Sequence, residues 1–447
     1  MTTTLIPNAV RWSALDSTAQ KALLQRPVQR VSEALQTQVA SLINEVENFG
    51  DRAVLECTER FDGVKLASPE LPMSQVEALA ATITPEVRAA IDRAYDNIYQ
   101  FHAAQQPQNV TVNTSPGVTC TLNFTAFASV GLYIPGGSAS LPSTALMLGV
   151  PAQIANCDER VLVSPPAKDG TLSPAICYAA VKCGMTRVFL MGGAQAIAAL
   201  ALGTETIPAV QKIFGPGNSY VTEAKQQVSQ LAGGPAIDLP AGPSELLVIA
   251  DASAEPAFVA ADLLSQAEHG PDSQVILLSP DVAFIERVRA ELALQLEKLP
   301  RAEIAAEALK SSSLILTESL SEAIAISEAY APEHLSIQLN NAEHLIPRLR
   351  NAGSIFVGHY TPESGGDYAT GTNHVLPTYG FARSYSSLGL LDFYRRFTTQ
   401  TVSAKGLMEL GPAIVELARE EKLDAHLRAV SLRLESDRIQ RDVETIQ

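Results

Sequence analysis

Three short stretches gather side chains suited to metal binding and proton transfer. In "LLSQAEHGPDSQVILLS", residues 263–279, Gln266 and His269 stand three apart where an apolar-periodic run is stopped by Gly270 and Pro271. A helix over about 256–269 places Asp262, Gln266 and His269 on one stripe at i, i+4 and i+7, with Gly270 as its C-cap. A histidine in a last turn also suits the negative end of a helix dipole, so this stretch alone does not demand a ligand. In "YAPEHLSIQ", residues 330–338, Pro332 forces the preceding residue out of helix. Glu333 and His334 then stand at the mouth of a strand, where α/β sheets put their ligands. An adjacent acid and base serve a reaction with two proton transfers, although a charged pair at a turn has the same sequence.

The densest stretch is "GGDYATGTNHVLPTYGFARSYS", residues 365–386, where Gly365, Gly366, Gly371 and Pro377 surround Asp367, Asn373 and His374. The composition rules out a helix or continuous strand over this run and points to a structured loop that serves a site. Further on, His426 follows Glu421 on a helical segment and by itself passes for a surface histidine.

These side chains need elements to hold them. Helical spacing runs through Val31, Leu35, Val39, Leu42, Ile43 and Val46. Gly50 closes that helix, and a second, short one ends at Phe61 before the Asp62-Gly63 turn. Another helix is expected in the eighties and nineties with Pro85 in its first turn. From about residue 129 the chain alternates strands ("SVGLYIPGG", "RVLVSPP", "RVFLMGG", "KIFGPG", "ELLVIAD", "QVILLS", "SLILTES", "HLSIQL", "GSIFVG") with helical runs. Such alternation predicts parallel sheets covered on both faces, and the strand count predicts two α/β domains. Beyond about 385 the chain reads as a mainly helical, charged tail, and no internal sequence repeat is visible. Neither G-x-G-x-x-G nor a P-loop occurs. Instead "YIPGGSAS", "GGAQAIAAL" and "FGPGNSYVTEAK" are glycine turns that follow a strand and open a helix, so each offers free N–H groups to an anion.

The 447 residues carry a formal net charge of −16 and no Lys/Arg-rich run, which disfavours nucleic acid and anionic membranes. The start, "MTTTLIPNAVRWSALDSTAQ", lacks a basic segment followed by an apolar one, and Pro151 interrupts the apolar run "ALMLGVPAQIA". A soluble, cytoplasmic protein is expected, its five cysteines reduced and mostly buried because none forms a CxxC pair.

Seven stretches together, "YIPGG", "GGAQAIAALALGT", "FGPGNSYVTEAK", "DLPAGPSELLVIAD", "QAEHGPDSQVILL", "APEHL" and "GDYATGTNHVLPT", resemble the histidinol dehydrogenase family in its order. The likeness runs from about residue 30 to the end. It implies two Rossmann-like α/β domains without G-x-G-x-x-G, a helical N-terminal segment, a helical C-terminal tail and a homodimer. The division expected is an N-terminal segment over 1–32, a first α/β domain from 33–130 with 246–386, a second from 131–245, and the tail over 387–447. The activity implied is oxidation of L-histidinol to L-histidine through L-histidinal, with two NAD reduced and one zinc ion per subunit. Position by position, Gln266, His269, Asp367 and His426 match the zinc ligands, and Glu333 and His334 the acid–base pair. Ser244, His374 and Glu421 match substrate contacts, shared with Gln266, His269, His334, Asp367 and His426, while Tyr133, Gln195 and Asn218 match NAD contacts. Glu421 and His426 would come from the partner's tail. The first thirty residues match little.

Three other readings compete. A thiol-dependent aldehyde oxidation would use Cys157 or Cys120. A zinc hydrolase would use Glu333 on metal-bound water without a nucleotide, and a dimeric scaffold would do no chemistry at all.

Overall fold

The computed structural model describes residues 6–27, 33–136, 140–239, 242–436 and 438–439. Val31, part of the glycine turn after residue 136, and part of the "DLPAGPS" stretch lie outside the described residues. The chain divides into two compact units, residues 1–105 with 127–393 and residues 106–126 with 394–447.

The larger unit holds two six-stranded sheets. In one, the strands run in the order Ala9–Arg11, Ser313–Leu316, Gln274–Ser279, Glu245–Ala250, His334–Gln338, Ser354–Val357, and all pairs are parallel. We call it the Glu245 sheet. In the other, the Tyr133 sheet, the order is Glu70–Leu71, Arg187–Leu190, Glu159–Ser164, Ser129–Tyr133, Lys212–Phe214, Ala236–Ile237, and only the first strand is antiparallel. Leaving out the strands that join from the N-terminal part or that run antiparallel, the remaining five follow one topology in both sheets, 3-2-1-4-5 in order along the chain. The repeat expected in neither sequence nor composition is therefore present in topology.

Residue chemistry explains the layering. "ELLVIA" and "QVILLS" are buried at every position, the signature of parallel strands covered on both faces. Helices Pro256–Ala267 and Val282–Leu296 cover one face of the Glu245 sheet, and Leu320–Tyr330 covers the other. Each fully buried Leu or Ile stabilises by about 1.5–3 kcal/mol, so this core sets a rigid frame. The long helical segment Glu33–Asp62 packs on helices Gly193–Leu202 and Ser219–Ser229, beside the Tyr133 sheet. Its break falls at Gly50, with φ 52°, where the Glu205 carboxylate accepts from Asp51 N at 2.8 Å and caps the second half. Helix Pro85–Ala103 starts on its proline, capped by Thr84.

The smaller unit pairs strands Val110–Ser115, Val118–Ala126 and Tyr394–Val402 in an antiparallel sheet, followed by helices Ala404–Glu420 and Asp424–Leu434. The tail is thus helical after residue 403 but begins with a nine-residue strand that the sequence reading missed. Leu417, Leu423 and Leu432 of this unit are exposed.

The turn after Lys212–Phe214 is held with little room. Gly215 has φ +124°, and a Cβ there would lie 2.1 Å from the Tyr133 carbonyl oxygen. Its N–H donates to Asp238 Oδ2 at 2.7 Å, and Lys225 Nζ donates to its carbonyl at 3.0 Å. Gly215→Ala is expected to cost about 3 kcal/mol or more through backbone strain and this collision. A lower Tm in thermal unfolding checks it, and an unchanged Tm would mean the Tyr133 carbonyl does not close on this position.

Candidate active site

A cavity of about 540 Å³ opens beside this turn. On one side it is lined by residues just past the carboxyl ends of the Tyr133 sheet, including Pro135, Gly217 and Asn218. On the other side it meets the amino ends of the Glu245 sheet, at Ser244, Ser273, Glu333 and His334. Glu333 and His334 therefore sit at a strand mouth, but at the amino end, not the carboxyl end where open α/β sheets usually bind ligands. The reason is the connection between the sheets. The chain leaves strand Ala236–Ile237 and enters strand Glu245–Ala250 from its amino end, lining the cavity on the way with Asp238, Leu239 and Gly242.

The pair is fixed by one residue's backbone. Glu333 Oε2 accepts from Glu245 N at 2.8 Å, and His334 Nδ1 donates to Glu245 O at 2.9 Å. With its proton on Nδ1, His334 presents Nε2 as a lone pair, buried and without a hydrogen-bond partner. Burial lowers the His334 pKa, so the ring is a neutral base at pH 7. Burial also pushes Glu333 well above the usual carboxylate range, reinforced by the nearby charges of Glu245, Asp367 and Glu363. Pro332 acts as expected: Ala331 before it adopts left-handed backbone, φ 55°, and ends helix Leu320–Tyr330.

Across from His334 Nε2 lie Glu363 Oε1 at 3.9 Å and Asp367 Oδ1 at 4.0 Å. His269 Nε2 lies 3.8 Å from Asp367 Oδ2, while its Nδ1 donates to Ser265 O at 2.9 Å. Gln266, fully buried beside it, has no partner for Oε1. Helix Pro256–Ala267 ends with Glu268 as C-cap, so His269 stands beyond the helix and Gly270 does not cap it. Asp367 sits on a six-residue helix, Glu363–Tyr368, so the start of the glycine-rich run is helical after all; Phe356 packs against Gly366 on this turn.

Glu363 was not anticipated. It is fully buried, with Oε2 accepting from Ser265 Oγ at 2.8 Å and Oε1 unpartnered. The available signal was Pro362 opening a turn that carries acids at i and i+4. Burial, then the Glu363 charge, raises Asp367 to about 8.

These donors fit a divalent cation. Two ligands each about 2.1 Å from one ion lie at most about 4.2 Å apart, and the His269–Asp367 gap of 3.8 Å is too long for a hydrogen bond. His334, Glu363 and Asp367 also offer ligand atoms within 4.8 Å of one another. Among the described residues, the ion pairs of Glu333, Glu363 and Asp367 are with histidines only, so no Lys or Arg neutralises them.

Ser244 and His374 line the same cavity. Asn218 lines it too, but its Oδ1 also caps helix Ser219–Ser229 by accepting from Tyr220 N and Val221 N. Tyr133 and Gln195 are buried and do not line it; the Tyr133 hydroxyl accepts from Gly193 N at 3.1 Å and holds the N-terminus of helix Gly193–Leu202. Glu421 and His426 belong to the smaller unit, exposed at the end of one helix and on the next. Cys157 is wholly buried and its thiol is pushed up to about 12, which removes it as a nucleophile.

The sequence pattern of the histidinol dehydrogenase family matches residues 24–434. The chain belongs to the histidinol dehydrogenase family. It is 60% identical over 426 residues to histidinol dehydrogenase from Idiomarina loihiensis, covering 95% of this chain and 96% of that one. The Colwellia psychrerythraea histidinol dehydrogenase is 56% identical over 431 residues, 96% of this chain and 99% of that one. A crystal structure of histidinol dehydrogenase from Elizabethkingia anophelis superposes with a TM-score of 0.92 at 44% identity, covering 96% of this chain and 98% of that one. Histidinol dehydrogenases are NAD-dependent oxidoreductases of histidine biosynthesis, the class implied by the seven motifs. Among the described residues, no helix is long and apolar enough to cross a membrane.

Within this histidinol dehydrogenase cavity, burial pushes His374 down to about 4 from the ordinary 6.5. Between those values the unfolded chain binds a proton that the folded chain does not, so stability is lost as pH falls from about 6.5 towards 4. His374→Asn should remove up to one proton from that dependence. Urea midpoints of both proteins at pH 7 and pH 5 check it; equal pH losses would show that His374 is not held neutral.

Proposed function

We propose that this chain is a zinc-dependent L-histidinol dehydrogenase that carries out both oxidations, alcohol to aldehyde and aldehyde to carboxylate. The observation that carries the reading is the convergence on one cavity of His334 with its unpartnered Nε2, Glu333, His269 and Asp367, with the unpartnered Oε1 of Gln266 three residues before His269. The first step is RCH2OH + NAD+ → RCHO + NADH + H+. His334 Nε2 takes the hydroxyl proton as the carbon gives up hydride, and the Glu245 carbonyl steadies the charge that forms on the ring through Nδ1–H. The second step is RCHO + H2O + NAD+ → RCOO− + NADH + 2H+. Glu333 takes a proton from the water that adds to the aldehyde carbon, and the resulting hydrate gives up the second hydride.

We assign Gln266, His269 and Asp367 as zinc ligands, with His426 supplied by a second copy of the chain. When bound, one zinc ion per subunit supplies a Lewis-acid template for the substrate's imidazole and amine, and its charge favours the ionised carboxylates. NAD supplies the hydride acceptor, seated by the glycine turns at Tyr133, Gln195 and Asn218, whose neighbouring helix N-termini offer N–H groups to its phosphates. Ser244 and His374 hold the substrate, and Glu421 from the second copy pairs with its ammonium. The homodimer reading rests on the family resemblance; Leu417, Leu423 and Leu432 of the smaller unit are exposed and available to a partner. A cytoplasmic setting agrees with the NAD requirement and with free cysteines.

The test is NADH formation from L-histidinol. Two NADH per histidinol, lost on chelation and restored by zinc, is the expected result. Turnover without NAD would instead favour a hydrolase. Glu333→Gln should slow oxidation of supplied L-histidinal by about 10²–10⁴-fold while leaving the alcohol step less affected, and His334→Asn should slow the alcohol step by a similar factor. Equal losses in both steps for both variants would refute this division of labour.

A further inference from the structure

The N-terminal segment, which the family motifs leave without a role, sends one side chain into the larger unit's interior directly behind the acid–base pair. Arg26 follows helix Ser17–Leu23 by three residues. Its Nε donates to Glu245 Oε1 at 2.5 Å and its Nη2 to Glu245 Oε2 at 2.7 Å, a two-pronged ion pair with side-chain exposures of 13% and 3%. Nη2 also reaches the carbonyls of Tyr330 at 2.8 Å and Ala331 at 3.2 Å. The guanidinium lies over the Tyr330 ring, 3.9 Å from its centre.

Each of these contacts lands on a segment that holds a reacting group. Glu245 grips Glu333 through its N–H and His334 through its carbonyl. Tyr330 and Ala331 are the last residues before Pro332, so they set the direction from which Glu333 and His334 enter the strand. Glu245 Oε1 also accepts from Tyr379 N at 2.6 Å, and the Tyr379 hydroxyl donates back to Pro27 O at 2.7 Å. Tyr379 lies on the loop that carries His374 five residues earlier. Arg26 therefore ties together the start of strand Glu245–Ala250 and the turn before Glu333, while its neighbour Pro27 is tied to the His374 loop.

A purely stabilising role is a weak explanation. A buried ion pair costs desolvation that a well-packed apolar pair of similar volume would not, and its attested benefit is a fixed arrangement. We infer that Arg26 is a positioning residue: through Glu245 and the Tyr330–Ala331 carbonyls it holds His334 Nε2 and the Glu333 carboxylate on the reacting carbon. The inference rests on the acid–base roles proposed above.

The experiment uses the full-length, zinc-replete enzyme, with kcat expressed per bound zinc and Tm recorded beside it. Arg26→Met is expected to lower kcat about 10²-fold, with zinc content unchanged and the KM values for histidinol and NAD within about threefold, because alignment rather than binding is lost. Added guanidinium should recover at least tenfold of that loss, whereas a stability defect alone would not respond in kcat per zinc. Arg26→Lys keeps the charge but not the fork and should fall between the two; it carries the test if the Met variant does not fold. Wild-type kcat per zinc in either folded variant, or a loss that guanidinium leaves untouched, overturns the inference. Failure of the wild-type enzyme to make NADH from histidinol is a separate result, visible before any variant is made, and would sink the functional reading instead.

Discussion

The peptide groups of Glu245 are the constraint on which the rest of the site depends. This residue begins the central strand of a six-stranded sheet, so its position is set by ladders on both sides. It is in register with Gln274 on one side, while pairing with strand His334–Gln338 starts only at Leu246, which leaves its N–H and carbonyl to side chains. One bonds Glu333 and the other bonds His334. A backbone amide cannot rotate away or titrate, so the orientation of the carboxylate and the tautomer of the imidazole are both dictated by the sheet. A side chain in the same place would have cost rotamer entropy and offered alternatives.

The site is a poor bargain in stability, and its chemistry needs it to be so. Glu333, Glu363 and Asp367 are crowded into a buried space where, among the described residues, no Lys or Arg pairs with them, and burial drives Glu333 upward and Asp367 to about 8. Desolvation that penalises charge on these acids also keeps His334 neutral, with the Nε2 lone pair free to take a proton. The same low dielectric that makes crowding these acids costly also strengthens their attraction for a cation. The buried aliphatic strands on either side supply the rigidity that lets the arrangement persist.

Much of this was legible in the sequence, for identifiable reasons. The parallel strands were plain because burial on both faces leaves unbroken runs such as "ELLVIA", and the breaks at Gly50 and Pro332 were plain because those residue types restrict backbone locally. What sequence hid depends on distant partners. Strand Tyr394–Val402 pairs with Val118–Ala126, far earlier in the chain, and its own Arg, Thr and Gln residues look like a polar tail. Glu363 looks like an ordinary helix-start acid until Ser265 and His334 are brought to it. Chain order already put Glu333 and His334 at the amino end of their strand, but it did not show that the cavity lies at that end.

That last point explains why one fold repeat can serve two kinds of chemistry. Both sheets share the order 3-2-1-4-5, yet they meet the cavity by opposite ends. At the carboxyl ends of the Tyr133 sheet, each following helix points its N-terminus at the cavity side, and N–H groups such as those after Asn218 favour anions. At the amino ends of the Glu245 sheet helix Pro256–Ala267 and helix Leu320–Tyr330 end, with carbonyls and the negative pole of the dipole, and only the six-residue helix Glu363–Tyr368 starts beside His334 among the described residues. That pole favours cations and protonated bases. The His269 ring is held by the Ser265 carbonyl in the last turn of one such helix, and the Arg26 guanidinium by the Tyr330 and Ala331 carbonyls at the end of the other. A dinucleotide's phosphates and a metal with an amine-bearing substrate need opposite fields a few residues apart. Reversing one sheet against the cavity provides both from the same topology, with no charged side chain required to create either.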